Sequence, residues 1–285
     1  MPSAVIIGCG RMGREHAEAY REMGVQITDV YDIDYDKMLA FAQEFNVPRT
    51  WNDQPHVLKI GKDAYVSVCS WDDVHSFQIM RALEDGNTVI AEKPLCLTFE
   101  DLQKIAAMKT GKLVCNLPLR HQVMPAIQKP YHIEADYLWG RADRLDGWRK
   151  NCEGYSFVLG GGVHVADAII RVMGARPIFV TAVAQTMAHF PAPTMVSVIG
   201  EFDDGRSFSM EINCAYTGTH EWRVCQWGPY GKSEIVGMSS DKRACIREAI
   251  NFPNRAADAG IAAHALCFAI ERSIKNKLVE QVIYP

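Results

Sequence analysis

The chain has 285 residues, a formal net charge of −4, 48% hydrophobic residues and 22% charged residues. Those figures describe a globular protein with room for one large domain or two ordinary ones, and with no basic footprint for nucleic acid. No apolar run approaches the ~20 residues a membrane-spanning helix needs, and the first strand begins so early that no signal peptide is expected ahead of it.

Ala4 to Ile7 is a short, mostly β-branched apolar run, followed at once by Gly8-Cys9-Gly10-Arg11-Met12-Gly13. An amphipathic stretch over 12–23 comes next, so the order is strand, glycine turn, helix. Gly8 allows the tight turn, Gly10 lets the backbone approach a pyrophosphate, and Gly13 lets helix and strand pack closely. The helix start, with Arg11 and Met12, presents unpaired N–H groups to an anion. The apolar run 27–31 then ends in Asp32, about 20 residues past Gly13, where an acid reads the adenosine ribose. Its charge would repel a 2′-phosphate, so NAD is expected rather than NADP, although Arg11 and Arg14 lie close enough to soften that preference.

Further strands are expected at 64–69, 88–91 and 112–116, and helices at 35–45, 73–85 and 98–109. Thr98, three residues before Asp101, is the N-cap signal for the last helix. This alternation predicts a doubly wound parallel sheet, with ligands along the carboxyl edge of its strands. Three loops fall on that edge: Ser70-Trp71-Asp72-Asp73-Val74-His75, Glu92-Lys93-Pro94, and Asn116 to His121. Ser70, Trp71, His75, Glu92 and Lys93 join the glycines as candidate cofactor contacts; a core position for Trp71 fits equally well. Lys93, at the end of an apolar strand and beside other charges, is poised to act as acid or base. Arg120 and His121 are candidate substrate contacts, and Arg120 would suit an acidic or phosphorylated substrate.

From Tyr131 onward strand patterns dominate: 132–138, 178–187, 194–203, 206–215, 221–227 and 233–237. Asp203-Asp204-Gly205-Arg206 and Pro229-Tyr230-Gly231 read as turns between them. A final helix is expected over 257–275. Between the first two strands lies Gly160-Gly161-Gly162-Val163-His164, continuing through Asp167, Ile170 and Arg171 as a helix that ends at Gly174. His164 is expected at that helix's start, where the dipole favours a neutral imidazole able to hydrogen-bond a hydroxyl or take its proton. The alternative is a packed histidine capped by Asp167. The nine cysteines are dispersed, with no C-x-x-C pair, which predicts reduced thiols in a cytoplasmic protein and no metal site.

The early glycine motif, Glu92-Lys93-Pro94, Asn116 with Arg120, and the later Gly162-x-His164-x-x-Asp167, in that order, resemble the Gfo/Idh/MocA oxidoreductase family across nearly the whole chain. The resemblance implies an N-terminal Rossmann domain, 1–118, and a C-terminal α+β domain with a large, open, mostly antiparallel sheet, 119–285. It also implies NAD(P)-dependent oxidation or reduction of a sugar, cyclitol or related alcohol carbon. Lys93 maps to the lysine assigned to substrate binding and proton transfer, and His164 to the family's later histidine. Trp148 and Arg149 map to a pair lining the cleft roof, and His75 to a mainly structural helix-start histidine. One departure is notable: many relatives carry an acid four residues before the histidine, where this chain has Gly160. An NAD-dependent lyase or hydrolase working through transient oxidation, and a catalytically silent NAD-binding sensor, are the rival readings. A homodimer or homotetramer through the second sheet is expected.

Overall fold

The computed structural model describes residues 3–52, 63–187, 189–252 and 260–285. The first apolar run forms β1 (Ser3–Ile7), whose last four residues are buried. It is followed by α1 (Arg11–Glu22), β2 (Gln26–Tyr31), α2 (Tyr35–Phe45), β3 (Arg49–Trp51), β4 (Tyr65–Val68), α3 (His75–Glu84), β5 (Thr88–Ala91), α4 (Phe99–Ala107) and β6 (Lys112–Cys115). The six strands pair in the order β3-β2-β1-β4-β5-β6, all parallel. This is the doubly wound sheet that the alternating pattern predicts. The chain changes direction across the sheet at β1, which creates a crevice at the carboxyl end of β1 and β4. Helix starts are capped as the sequence suggests: Thr98 Oγ1 accepts from the Asp101 N–H at 3.1 Å, and Asp34 accepts from the Lys37 N–H at 3.1 Å.

Strand pairing runs one residue past the strands. Gly8 donates to the Tyr31 carbonyl, Cys69 to Ile7, Glu92 to Val68 and Asn116 to Ala91, at 2.7–2.8 Å. The first residue after each of four strands is thereby locked in line along one edge.

The second sheet is built from β7 (His132–Leu138), β8 (Pro177–Gln185), β9 (Met195–Phe202), β10 (Ser207–Asn213), β11 (Glu221–Gly228) and β12 (Gly231–Gly237), with α5 (Val163–Met173) between β7 and β8. Then follow α6 (Ala244–Asn251), α7 (Ile261–Asn276) and β13 (Glu280–Gln281). The order is β12-β11-β7-β10-β9-β8-β13; β7 and β10 are parallel and the other neighbours antiparallel. Both expected hairpins form: Phe202 donates to the Arg206 carbonyl, with Gly205 at φ +83°, and Gly228 pairs with Gly231. Alternation sends Ile133, Ala135, Val198, Phe208, Met210 and Val224 inward, where α5 and α7 cover them. The opposite face exposes Phe179, Val183 and Ile199. There Arg223 bonds Asp136 at 2.7 Å, Glu234 at 3.2 Å and Glu134 at 3.3 Å.

The chain divides into two compact units: Met1–Pro118 with Asp241–Gly260, and Leu119–Ser240 with Ile261–Pro285. The segment Asp241–Gly260 thus departs from the expected continuous domain 119–285. Its α6 belongs to the first unit because Ile246 is fully buried in the core around Tyr20, Phe41 and Ala17. Burying one such side chain is worth roughly 1.5–3 kcal/mol. Arg243 reinforces the placement by pairing with Glu15 at 2.8 Å and Glu22 at 2.5 Å. The start of the expected final helix, 257–259, lies outside the described residues.

Candidate active site

The glycine turn between β1 and α1 divides its work among three residues. Gly8 has φ +98°, and a Cβ there would stand 2.5 Å from the Cys69 carbonyl oxygen. A Cβ on Gly13 would overlap the Gly8 carbonyl oxygen, so helix and turn meet backbone to backbone. At Gly10 an added Cβ meets nothing within 4 Å. The protein leaves open the space over Gly10, at the amino end of a helix with no acidic residue in its first turn. This is the cradle a diphosphate requires. Arg11 is exposed and Met12 half-buried at the same helix start.

Asp32 follows β2 and is buried. Its Oδ2 accepts the Cys9 N–H at 2.7 Å, its Oδ1 accepts the Asp34 N–H at 2.9 Å, and Lys37 Nζ lies 3.6 Å away. The acid expected to read the ribose is thus fastened to the glycine turn itself. Burial, and then the Asp32 charge, push the intervening Cys9 thiol up to about 12, so it stays protonated beside the cradle.

Among the loop candidates, Ser70 donates through Oγ to Gln78 Oε1 at 2.6 Å. Trp71 is 56% exposed, which removes the core alternative for it. His75 is buried, with Nδ1 at 2.7 Å from the Pro94 carbonyl and Nε2 at 3.2 Å from the Ser70 carbonyl. Its ring ties the loops after β4 and β5 together.

Glu92 and Lys93 follow β5 directly. Glu92 is buried, and burial pushes its carboxyl up. Donation from His16, the Lys93 charge and the Asn116 amide outweigh that and hold it at about 2. Asn116 Nδ2 bonds both Glu92 Oε1, at 2.7 Å, and the Lys242 carbonyl, at 3.0 Å. Lys93 is half-buried beside this anchored carboxylate. His16 is the residue that reading the sequence missed. It is fully buried in α1, one turn past the glycine motif, between Ser67 Oγ at 2.8 Å and Glu92 Oε1 at 3.3 Å. The available signal was His16 and Tyr20 at i, i+4 spacing, two polar side chains on the helix face that meets the sheet.

In the second unit, Arg120 and Asp167 form a buried ion pair, with both side chains 4% exposed and contacts of 2.8 and 3.2 Å. The Arg120 guanidinium, a candidate substrate contact, is thus also held by Asp167.

His164 is buried and stacks on Tyr137, with ring centroids 5.6 Å apart and 23° between planes. It does not stand at a helix start. The helical path begins at Phe157, passes through a π-helical turn (Val158–Gly162) and continues into α5. The run's first turn is capped by Ser156 Oγ, which accepts from the Val158 N–H at 3.1 Å. A dipole effect fades within one turn, so it does not reach His164. The three glycines of the π turn make room for neighbours. A Cβ at Gly160 would meet the Tyr155 hydroxyl at 2.9 Å, at Gly161 the Phe157 ring at 2.6 Å, and at Gly162 Ile212 Cδ1 at 2.5 Å. Gly160, the departure from the family pattern, is therefore also where the Tyr155 phenol packs.

Arg149 lies over Trp139 at 5.2 Å and Tyr155 at 6.0 Å. His121 is half-buried after β6. The Trp148 side chain lies outside the described residues. On α7, Glu271 is half-buried with its carboxyl tucked against Ser156, and desolvation there lifts it to about 7.

A glycine cradle at the switch point of a six-stranded parallel sheet, with an acid bound to the turn, defines the class: an NAD-binding Rossmann unit coupled to a second α/β unit. The chain belongs to the Gfo/Idh/MocA oxidoreductase family. That family's NAD-binding Rossmann-fold model matches residues 3–116, and its C-terminal domain model matches residues 126–233. Among characterised relatives, D-apiose dehydrogenase of Paraburkholderia graminis is 22% identical over 225 residues, 74% of this chain and 60% of that protein. D-glucoside 3-dehydrogenase of Escherichia coli is 27% identical over 187 residues, 59% of this chain and 53% of that protein. The matches thus span 53 to 60% of those two relatives' lengths. The WlbA dehydrogenase of Bordetella pertussis, solved with NADH and UDP-GlcNAcA, shares the fold with a TM-score of 0.87 at 16% identity, over 100% of this chain and 98% of that one.

Proposed function

We propose that the chain oxidises or reduces a carbinol carbon of a sugar, cyclitol or sugar derivative with NAD(H). The observation that carries this reading is the open space over Gly10 with Asp32 bonded to the same turn. Bound NAD supplies the hydride acceptor, or NADH the donor. Gly8, Gly10 and Gly13 receive the diphosphate, with Arg11 and Met12 beside it, and Asp32 accepts the ribose hydroxyls. Lys93, with its charge balanced by Glu92, moves the substrate hydroxyl proton and stabilises charge developing on that oxygen. His164, stacked on Tyr137, is the second proposed proton-handling residue. Arg149 and His121 are proposed substrate contacts. Arg120 is proposed to act there through Asp167, by holding α5. The names of the relatives, dehydrogenases of apiose and of glucosides, support this substrate class. The exposed Phe179, Val183 and Ile199 face of the second sheet is the proposed interface of a homodimer or homotetramer.

The test is NADH formation on incubation with NAD and D-apiose, myo-inositol, scyllo-inositol or methyl glucosides, repeated with NADP. Lys93→Met is expected to lower kcat by about 100- to 10,000-fold with NAD binding retained. NAD binding without turnover on any of these, or product formation without NADH, would replace this reading with a sensor or a lyase.

A further inference from the structure

Behind Lys93 lies a chain of hydrogen bonds. Tyr20, Ser67 and His16 are fully buried. Burial pushes the Tyr20 phenol up, so it stays protonated, and it shares a hydrogen bond of 2.8 Å with Ser67 Oγ. Ser67 Oγ also lies 2.8 Å from His16 Nδ1. Glu92, held ionised, can only accept, so the His16 Nε2 that faces its Oε1 at 3.3 Å carries a proton. Asn116 Nδ2 donates to the same oxygen at 2.7 Å. Four side chains, from α1, β4 and the end of β6, thus lead to the one carboxylate of Glu92 at the end of β5.

Apolar side chains of similar volume would fill this space with no polar group to desolvate. What the polar chain adds is a fixed orientation at Glu92, the residue whose peptide carries Lys93. We propose that His16 is a positioning residue: its Nε2–H, donated to Glu92, sets the Lys93 amine and links the helix that receives the cofactor diphosphate to the group that handles the substrate proton. This rests on the reading of Lys93 given above. It goes beyond that reading by giving a role to a side chain buried away from cofactor and substrate alike.

The test exploits amide geometry. A Gln amide nitrogen falls near imidazole Nε2, and an Asn amide nitrogen near Nδ1. His16→Asn therefore loses the bond to Glu92, and His16→Gln keeps it. In the full-length enzyme, with whichever polyol above turns over, His16→Asn is expected to lower kcat by about 100-fold, with KM and NAD affinity within about threefold of wild type. His16→Gln is expected to recover most of that loss. Equal losses in the two variants, or a raised KM for NAD at unchanged kcat, would overturn the proposal.

Two readouts need no turnover, so they separate this proposal from the dehydrogenase reading. In reductively 13C-methylated protein, the Lys93 resonance, identified by its absence in Lys93→Arg, is expected to move in His16→Asn and stay in His16→Gln. An unmoved resonance in both rejects the positioning role even in an active enzyme. Should His16→Asn fail to fold, 15N-imidazole spectra of wild type decide: an Nε2–H tautomer at His16 supports the proposal, and an Nδ1–H tautomer overturns it.

Discussion

Asp32 holds the backbone of Cys9: its Oδ2 accepts that N–H at 2.7 Å across 23 residues of sequence. The acid proposed to select the cofactor and the glycine turn are therefore one mechanical piece. Asp32→Asn retains a carbonyl oxygen for the Cys9 N–H and removes the charge. It is expected to weaken NAD binding by about 10- to 100-fold, the worth of charge-assisted bonds to ribose hydroxyls. The ratio of NADP to NAD affinity should rise. Titration calorimetry with both dinucleotides checks this, and unchanged NAD affinity would remove Asp32 from the site.

The three glycines should separate in mutagenesis. Gly10→Ala places a methyl group in open space, so its thermal midpoint should stay within about 2 °C of wild type. The same methyl group occupies the diphosphate's approach, so NAD binding should fall by at least about tenfold. Gly13→Ala drives a methyl group into the Gly8 carbonyl oxygen and should cost about 1–3 kcal/mol of stability. Thermal melts with and without NAD distinguish the two.

The buried Arg120–Asp167 pair should be a stability element of the second unit. Asp167→Ala leaves a desolvated guanidinium without its carboxylate, at a cost of about 3–5 kcal/mol. Removing both charges, as Arg120→Met with Asp167→Leu, should restore much of the loss. Chemical denaturation of the single and double variants provides the cycle, and additive losses would show that the two residues do not interact.

Glu271 makes stability depend on pH with a sign opposite to that of an ordinary paired carboxylate. Burial raises its folded value from 4.5 to about 7. The folded chain therefore holds this proton more tightly, and stability falls as pH rises from 4.5 through about 7. Glu271→Gln removes the dependence. It should leave stability near wild type at pH 4 and exceed it at pH 8 by on the order of 2–3 kcal/mol. Melting curves across that range test it, and parallel profiles for the two proteins would be the contrary result.

Much of this architecture was written locally. The runs preceding Gly8, Asp32, Glu92 and Asn116 announce strands because each is short, apolar and β-branched. β3 escaped because three residues, Arg49–Trp51, are too few to show a period. α6 escaped because its ACIREAIN stretch carries only two fully buried positions and lies in a region that reads as the second domain. The π turn escaped because Gly160-Gly161-Gly162 has poor helix propensity. It is helical here because those glycines accommodate Tyr155, Phe157 and Ile212, contacts that only the folded chain reveals. The ion pair of Arg120 with Asp167 and the chain from Tyr20 to Glu92 join residues 47 and more positions apart, and nothing in local spacing marks such partners.

The return of Asp241–Gly260 to the first unit makes the chain nested. The polypeptide passes between the units at 118, 240 and 260, with Asn116 gripping the Lys242 carbonyl just after the second passage. Neither half can be transplanted by a single cut. Recombination with another nucleotide-binding protein would have to exchange two separated stretches at once, and truncation after residue 240 would strip α1 of the Ile246 anchor it packs against.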